Sequence, residues 1–113
     1  MSAITTHVLD TSRGQPANGI SVTLEVEDHD DWKLVGKGTT NSDGRIMDLM
    51  TPGTTLTVGN YRLIFATDRY FADRDIETFY PQVSVVFRIG DPEQHFHVPL
   101  LLSPFGYSTY RGS

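Results

Sequence analysis

Ile20-Ser21-Val22-Thr23-Leu24-Glu25-Val26-Glu27 alternates apolar and polar residues without a break. Side chains on a strand point to opposite faces in turn, so this segment has one apolar and one polar face. It is a half-buried strand, and its neighbours are read by the same period. Upstream, Ile4 to Asp10 sets Ile4, Thr6 and Val8 on one face and Thr5, His7 and Leu9 on the other. Arg13 to Gly19 is turn chemistry punctuated by Gly and Pro. Downstream, Asp28-His29-Asp30-Asp31 is an acidic turn, followed by a weaker strand from Trp32 to Thr39 that two glycines interrupt. Asn41-Ser42-Asp43-Gly44 predicts a hairpin, because Asp-Gly takes the positive φ angles of a tight turn. The strand after it would run from Arg45 to Leu49.

Tyr61 to Ala66 reads as a buried strand, and Val83 to Ile89 as another. Between them the pattern changes. From Asp68 to Tyr80 the spacing of Phe71, Ala72, Ile76, Phe79 and Tyr80 predicts one short amphipathic helix, closed by Pro81. The last stretch, His95 to Ser113, supplies two more strands. His95 and His97 share one face with Pro99 and Leu101, while Phe96, Val98, Leu100 and Leu102 form a continuous apolar face opposite. A Ser103-Pro104 turn follows, and the aromatic, β-rich run that ends at Ser113 reads as a docked terminus. About eight short strands spaced roughly ten residues apart, with one short helix, predict an all-β, two-sheet antiparallel sandwich.

The 113 residues are enough for one domain, 1–113, with a core that needs no staples. With 38% hydrophobic and 20% charged residues the chain is too apolar for disorder. No apolar stretch approaches the length of a membrane span. Met1 to Thr6 carries no secretory signal and the end is not a peroxisomal address, so the chain reads as cytoplasmic. The absence of cysteine removes disulfides and thiolate chemistry. A net charge of −5 with scattered basic residues argues against nucleic acid and anionic membranes as partners. There is no Gly-x-Ser-x-Gly nucleophile motif and no P-loop.

Two layers of resemblance lie over this pattern. Val8-Leu9-Asp10, Gly14 to Ile20, Thr40 to Arg45 and Gly59 to Leu63 resemble the transthyretin-like sandwich in general, which speaks to fold. The second layer is narrower. His7 before Val-Leu-Asp, Arg45 after Asp-Gly, the His95-Phe96-His97-Val98-Pro99 run and the closing Tyr110-Arg111-Gly112-Ser113 resemble the 5-hydroxyisourate hydrolases, enzymatic relatives of transthyretin. That resemblance implies opening of the six-membered ring of 5-hydroxyisourate in urate degradation. It also implies a homotetramer, a dimer of dimers with its sites in a central channel, and no metal or organic cofactor. Residue by residue, it places catalysis on His7, Arg45 and His97, and substrate contacts on Tyr110, Arg111, Gly112 and Ser113. His95, beside His97, is grouped with the substrate contacts.

The chemistry suits these residues. Ring-amide hydrolysis needs an activated water, a stabiliser for the oxyanion and a proton for the leaving nitrogen. A histidine beside Arg45 is disfavoured as imidazolium and so stays a neutral base, while the guanidinium can hold an oxyanion. The terminal tetrapeptide offers phenol, guanidinium, hydroxyl and carboxylate to a flat, heteroatom-rich ligand. Taken singly, each feature is plain: His-x-His is a common surface pair, Arg45 a solvated charge, and the tail an ordinary end. A three-histidine zinc site from His7, His95 and His97 is the metal alternative, disfavoured by the arginine in the same cavity. His29 and the acidic clusters read as solvated, and Met47 and Met50 as packing. Two further readings compete: a transthyretin-like carrier of small molecules, which would want an aliphatic channel, and a structural sandwich module.

Overall fold

The computed structural model describes residues 3–112. Nine strand segments and one helix follow in order: β1 (Ile4–Asp10), β2 (Gln15–Pro16), β3 (Ser21–Asp28), β4 (Asp31–Thr39), β5 (Arg45–Ile46), β6 (Gly59–Phe65), α1 (Thr67–Ala72), β7 (Val83–Ile89), β8 (Phe96–Ser103) and β9 (Gly106–Thr109). One sheet has the order β2-β1-β8-β9 with β5 added on β1, and the other has the order β4-β3-β6-β7. The alternation of the opening stretch is kept: Val22 and Leu24 are buried and Val26 packs at the edge of the core. Leu63 and Phe65 join them from β6, and Ile4, Val8, Leu100 and Leu102 face them from the other sheet. Each such aliphatic or aromatic side chain contributes about 1.5–3 kcal/mol on burial. Among the described residues no helix is long and apolar enough to cross a membrane.

The sandwich is antiparallel in its other named pairings but not at its centre. β1 and β8 run parallel, from Ile4 opposite Phe96 to Asp10 opposite Leu102. A tight turn forces antiparallel pairing, but these strands are joined by a long excursion through the second sheet, which leaves both directions open. The register sets Ile4 against Phe96, Thr6 against Val98 and Val8 against Leu100, so both apolar faces enter the core together.

The turn after β4 also departs from expectation. Asn41 closes it, its Oδ1 accepting the N–H groups of Asp43 at 2.9 Å and Arg45 at 3.1 Å. The chain then leaves β4 and crosses to the other sheet, where β5 pairs with β1 through Thr6–Ile46 and His7–Arg45. The cause is a competing partner: the Val8 N–H donates to the Gly44 carbonyl at 2.7 Å. β5 ends at Ile46, short of Leu49, because Leu49 turns into the core and Met50 bridges back to Gly36 of β4. Met47 is exposed, whereas Met50 packs against the core.

The helix is shorter than its apolar spacing predicted. It stops at Ala72, and the chain closes in a Schellman arrangement: Ile76 N–H donates to Phe71 O and Asp75 N–H to Ala72 O. Asp75 takes the left-handed conformation (φ 56°) that this closure needs. Two aspartates in Asp73-Arg74-Asp75 are poor helix formers, and Ile76 returns to the core through the closure instead of through another turn. On the other side of α1, Tyr70 Oη donates to the buried Asp10 carboxylate at 2.8 Å. Burial alone would raise the Asp10 pKa, but hydrogen bonds from Ser12 and Tyr70 outweigh it and hold the group below its ordinary value.

Gly44 has φ 75°, and a Cβ there would collide with the Val8 carbonyl oxygen. Gly44→Ala is expected to cost at least about 2 kcal/mol, from left-handed strain and collision together. Urea denaturation measures it, and a loss below about 0.5 kcal/mol, the size of a neutral surface change, would contradict this account of the crossover.

Candidate active site

β1 lends its outward side chains Thr5, His7 and Leu9 to the outer face of its sheet, as the alternation predicts. The register with β5 sets Arg45 opposite His7, and the parallel register with β8 sets His97 opposite Thr5. His7 and His97 are half-buried, whereas Arg45 and His95 are exposed. His97 Nδ1 lies 2.8 Å from Thr5 Oγ1, and His95 Nε2 lies 3.1 Å from that same oxygen. The two histidines therefore do share a side, with one hydroxyl between them.

The tail returns to this place. Gly112 N–H donates to the His97 carbonyl at 2.8 Å and forms an antiparallel bridge with that residue. A Cβ on Gly112 would sit 2.6 Å from His97 Cδ2 and 3.3 Å from Pro99 Cγ. Only glycine lets the chain lie this close against the imidazole. Ser113 lies outside the described residues. Arg111 turns elsewhere: its Nη2 donates to Gln94 Oε1 at 2.7 Å and its guanidinium lies 4.7 Å from the centre of the Phe96 ring. Tyr110 and Arg111 line a cleft of about 280 Å³ with Val85, Phe87, Phe96 and Val98. That cleft is apolar and does not include the histidines. The structure thus brings together His7, Arg45, His95, His97 and Gly112, and sets Tyr110 and Arg111 to one side.

On balance, the surroundings lower both imidazoles at the cluster. Burial pushes the His7 imidazole below its ordinary value, the Arg45 guanidinium pushes it further, and the Asp43 backbone and carboxylate oppose both. Burial likewise lowers His97, reinforced by Arg45, His7 and His95, while a hydrogen bond with the Thr5 backbone pulls the other way. Both rings are therefore neutral at pH 7, with lone pairs available as bases. Among the described residues no group of three or more His, Asp or Glu side chains is placed to hold a metal ion, so the three-histidine zinc arrangement is not assembled. Sequence reasoning put Thr5 on the right face but gave it no part. The signal was its place two residues before His7, and its meaning depends on a register that the sequence does not display.

Residues 4–112 match the model of the HIUase/Transthyretin family. Over 114 residues the chain is 48% identical to the 5-hydroxyisourate hydrolase of Mus musculus, covering 99% of this chain and 96% of that one. The structure of Klebsiella pneumoniae 5-hydroxyisourate hydrolase superposes with a TM-score of 0.84 at 38% identity, covering 97% and 98% of the two chains. Sea bream transthyretin in complex with thyroxine superposes with a TM-score of 0.90 at 30% identity, covering 98% and 95%. A sequence match that runs almost end to end, on a fold shared by both kinds of relative, makes this chain a member of the HIUase/Transthyretin family.

Proposed function

We propose that the chain is a 5-hydroxyisourate hydrolase, opening the six-membered ring of its substrate to a ureido-imidazoline carboxylate in urate degradation. The observation that carries the reading is the convergence of His7, Arg45 and His97 on one sheet face, with Gly112 seated against the His97 ring. One of the two neutral histidines takes a proton from water as its oxygen adds to the ring carbonyl. Arg45 holds the oxyanion that forms, and the ring C–N bond breaks as its nitrogen gains a proton. His95, Gly112 and Ser113 hold the substrate at this cluster, whereas Tyr110 and Arg111, set to one side of it, are given no part in holding it. These roles call for no metal or organic cofactor. The active assembly is a homotetramer, a dimer of dimers, in which this open face lines a central channel.

The likeness to sea bream transthyretin favours a second reading, a carrier without catalysis. That likeness lies in the backbone, whereas a carrier of apolar ligands has no need of two imidazoles and a guanidinium on the lining face. Polarity at His7, Arg45 and His97 supports the hydrolase.

With urate oxidase generating 5-hydroxyisourate in place, ultraviolet absorbance reports its decay. The native chain is expected to accelerate decay, and a C-terminal extension beyond Ser113 to suppress that acceleration. Decay no faster than the spontaneous rate would sink the hydrolase and leave the carrier; equal rates with and without the extension would remove the role of the terminus. His97→Asn is expected to lower kcat by at least about tenfold, a floor set under the roughly 10²–10⁴-fold typical of acid–base assistance. A rate close to that of the parent would remove His97 from the mechanism.

The pH dependence follows from the lowered histidines. Because both pKa values lie below the ordinary 6.5, the rings stay neutral, and the enzyme active, as pH falls through that value. The acid limb of kcat/KM is expected to inflect below 6.5, and Arg45→Met to move that inflection upward. An acid limb that does not move in the variant would contradict the electrostatic role of Arg45. The same sign holds for stability: the unfolded chain binds protons first, so stability falls as pH drops below the unfolded histidine value.

A further inference from the structure

Among the described residues, Thr5 is the one side chain that hydrogen-bonds both histidines of the His-x-His pair. Building on the hydrolase reading, we propose that Thr5 is a positioning residue that sets the tautomer of His97 and passes the proton His97 gains outward to His95. A hydroxyl carries one proton and can also accept. Its Oγ1 lies 2.8 Å from His97 Nδ1 and 3.1 Å from His95 Nε2, so it can donate to one ring while accepting from the other. Two arrangements result. In the first, His97 Nδ1–H donates to Thr5 Oγ1 and the Thr5 hydroxyl donates to His95 Nε2; His97 Nε2 then holds a free lone pair and is a base. In the second, the Thr5 hydroxyl donates to His97 Nδ1, and His97 Nε2 carries a proton and is an acid.

The hydrolytic cycle connects the two. Water gives a proton to His97 Nε2 as its oxygen bonds to the substrate carbonyl carbon. The Nδ1–H bond of His97 breaks as Thr5 Oγ1 gains that proton, and the former Thr5 proton moves to His95 Nε2. The charge left after these transfers rests on His95, and His97 is neutral with its proton on Nε2. When that proton passes to the leaving nitrogen, Thr5 returns its own to His97 Nδ1 and recovers one from His95. Every proton is accounted for and the first arrangement is restored.

Three observations support this direction of transfer. Arg45 and His7 both disfavour a cation on His97. His95 is exposed, where water can hydrate the charge. Thr5 is only 5% exposed, so bulk water has little access to the hydroxyl between the rings. Among the described residues the Thr5 hydroxyl hydrogen-bonds His97 and not His7, so of the two candidate bases His97 is the one joined to His95 through it.

Thr5→Val keeps the side-chain shape and removes the hydroxyl, whereas Thr5→Ser keeps the hydroxyl and removes the methyl. Steady-state kinetics on 5-hydroxyisourate and ¹⁵N NMR of the imidazoles read the two variants. Thr5→Val is expected to lower kcat about tenfold or more with KM changed less than about threefold, and Thr5→Ser to stay within about threefold of the parent. The ¹⁵N shifts of His97 should change in Thr5→Val and persist in Thr5→Ser. A Thr5→Val chain with parent-like kcat, or with unchanged His97 ¹⁵N shifts, overturns the proposal. So does a Thr5→Ser chain impaired as much as Thr5→Val, since packing alone would then explain the residue. If Thr5→Val fails to fold, His95→Phe removes the proton's destination at an exposed position, and a parent-like kcat there overturns the relay. An inactive parent chain overturns the hydrolase reading instead, and the NMR comparison alone then decides the tautomer claim.

Discussion

The parallel pairing of β1 with β8 is the constraint on which the rest of the molecule depends. It joins the beginning of the chain to its end, Ile4 to Phe96 through Asp10 to Leu102. No local turn enforces it; it is held by ladder hydrogen bonds and by two apolar faces entering the core in step. Its inner side supplies Ile4, Val8, Val98 and Leu100 to the core, and its outer side carries Thr5, His7 and His97. A slip of one residue would turn the histidines inward and the core residues outward. Stability and site therefore rest on one register.

Around that pair the chain adds its remaining parts by close approach. Gly44 sits so tightly on Val8 that the chain crosses between sheets there, and Arg45 is delivered opposite His7 as a result. Gly112 bridges His97 in the register that β9 makes with β8, so the tail runs on beside β8 and lies close against the His97 ring. In both places a missing side chain brings a functional one into range. Partial burial and the neighbouring guanidinium then act in the same direction, and at His7 they outweigh the opposing Asp43 carboxylate, so both imidazoles are kept neutral. The common fold of carriers and hydrolases explains why backbone likeness alone does not separate them. The difference lies in which side chains occupy the outer face.

Much of this was legible in the residues. Strict alternation in Ile20 to Glu27 placed β3, and period two in Ile4 to Asp10 and Phe96 to Leu102 assigned inner and outer faces, because burial on one side of a pleated strand leaves that mark. His7, Arg45, His97 and Gly112 were singled out by a family likeness. Single-residue chemistry would have left each one plain. Other features were not legible. The Asp43-Gly44 turn looked like a hairpin because the residues of a tight turn are the same whichever sheet receives the next strand. Spacing extended the helix past Ala72 because Ile76 does reach the core, but through a left-handed Asp75. The glycines of β4 read as interruptions, yet at Gly36 the backbone of Leu49 and Met50 lies where a side chain would be.

By itself the sequence determined the elements that short-range periodicity encodes, and the side of each strand that faces the core. The direction of β8 against β1, the crossing at Gly44 and the meeting of His95 and His97 at the Thr5 hydroxyl were decided only by the tertiary structure. These depend on contacts between residues far apart in the chain, ninety positions for Thr5 and His95, whose pairing is selected by the free energy of the whole core and leaves no periodic trace in either segment.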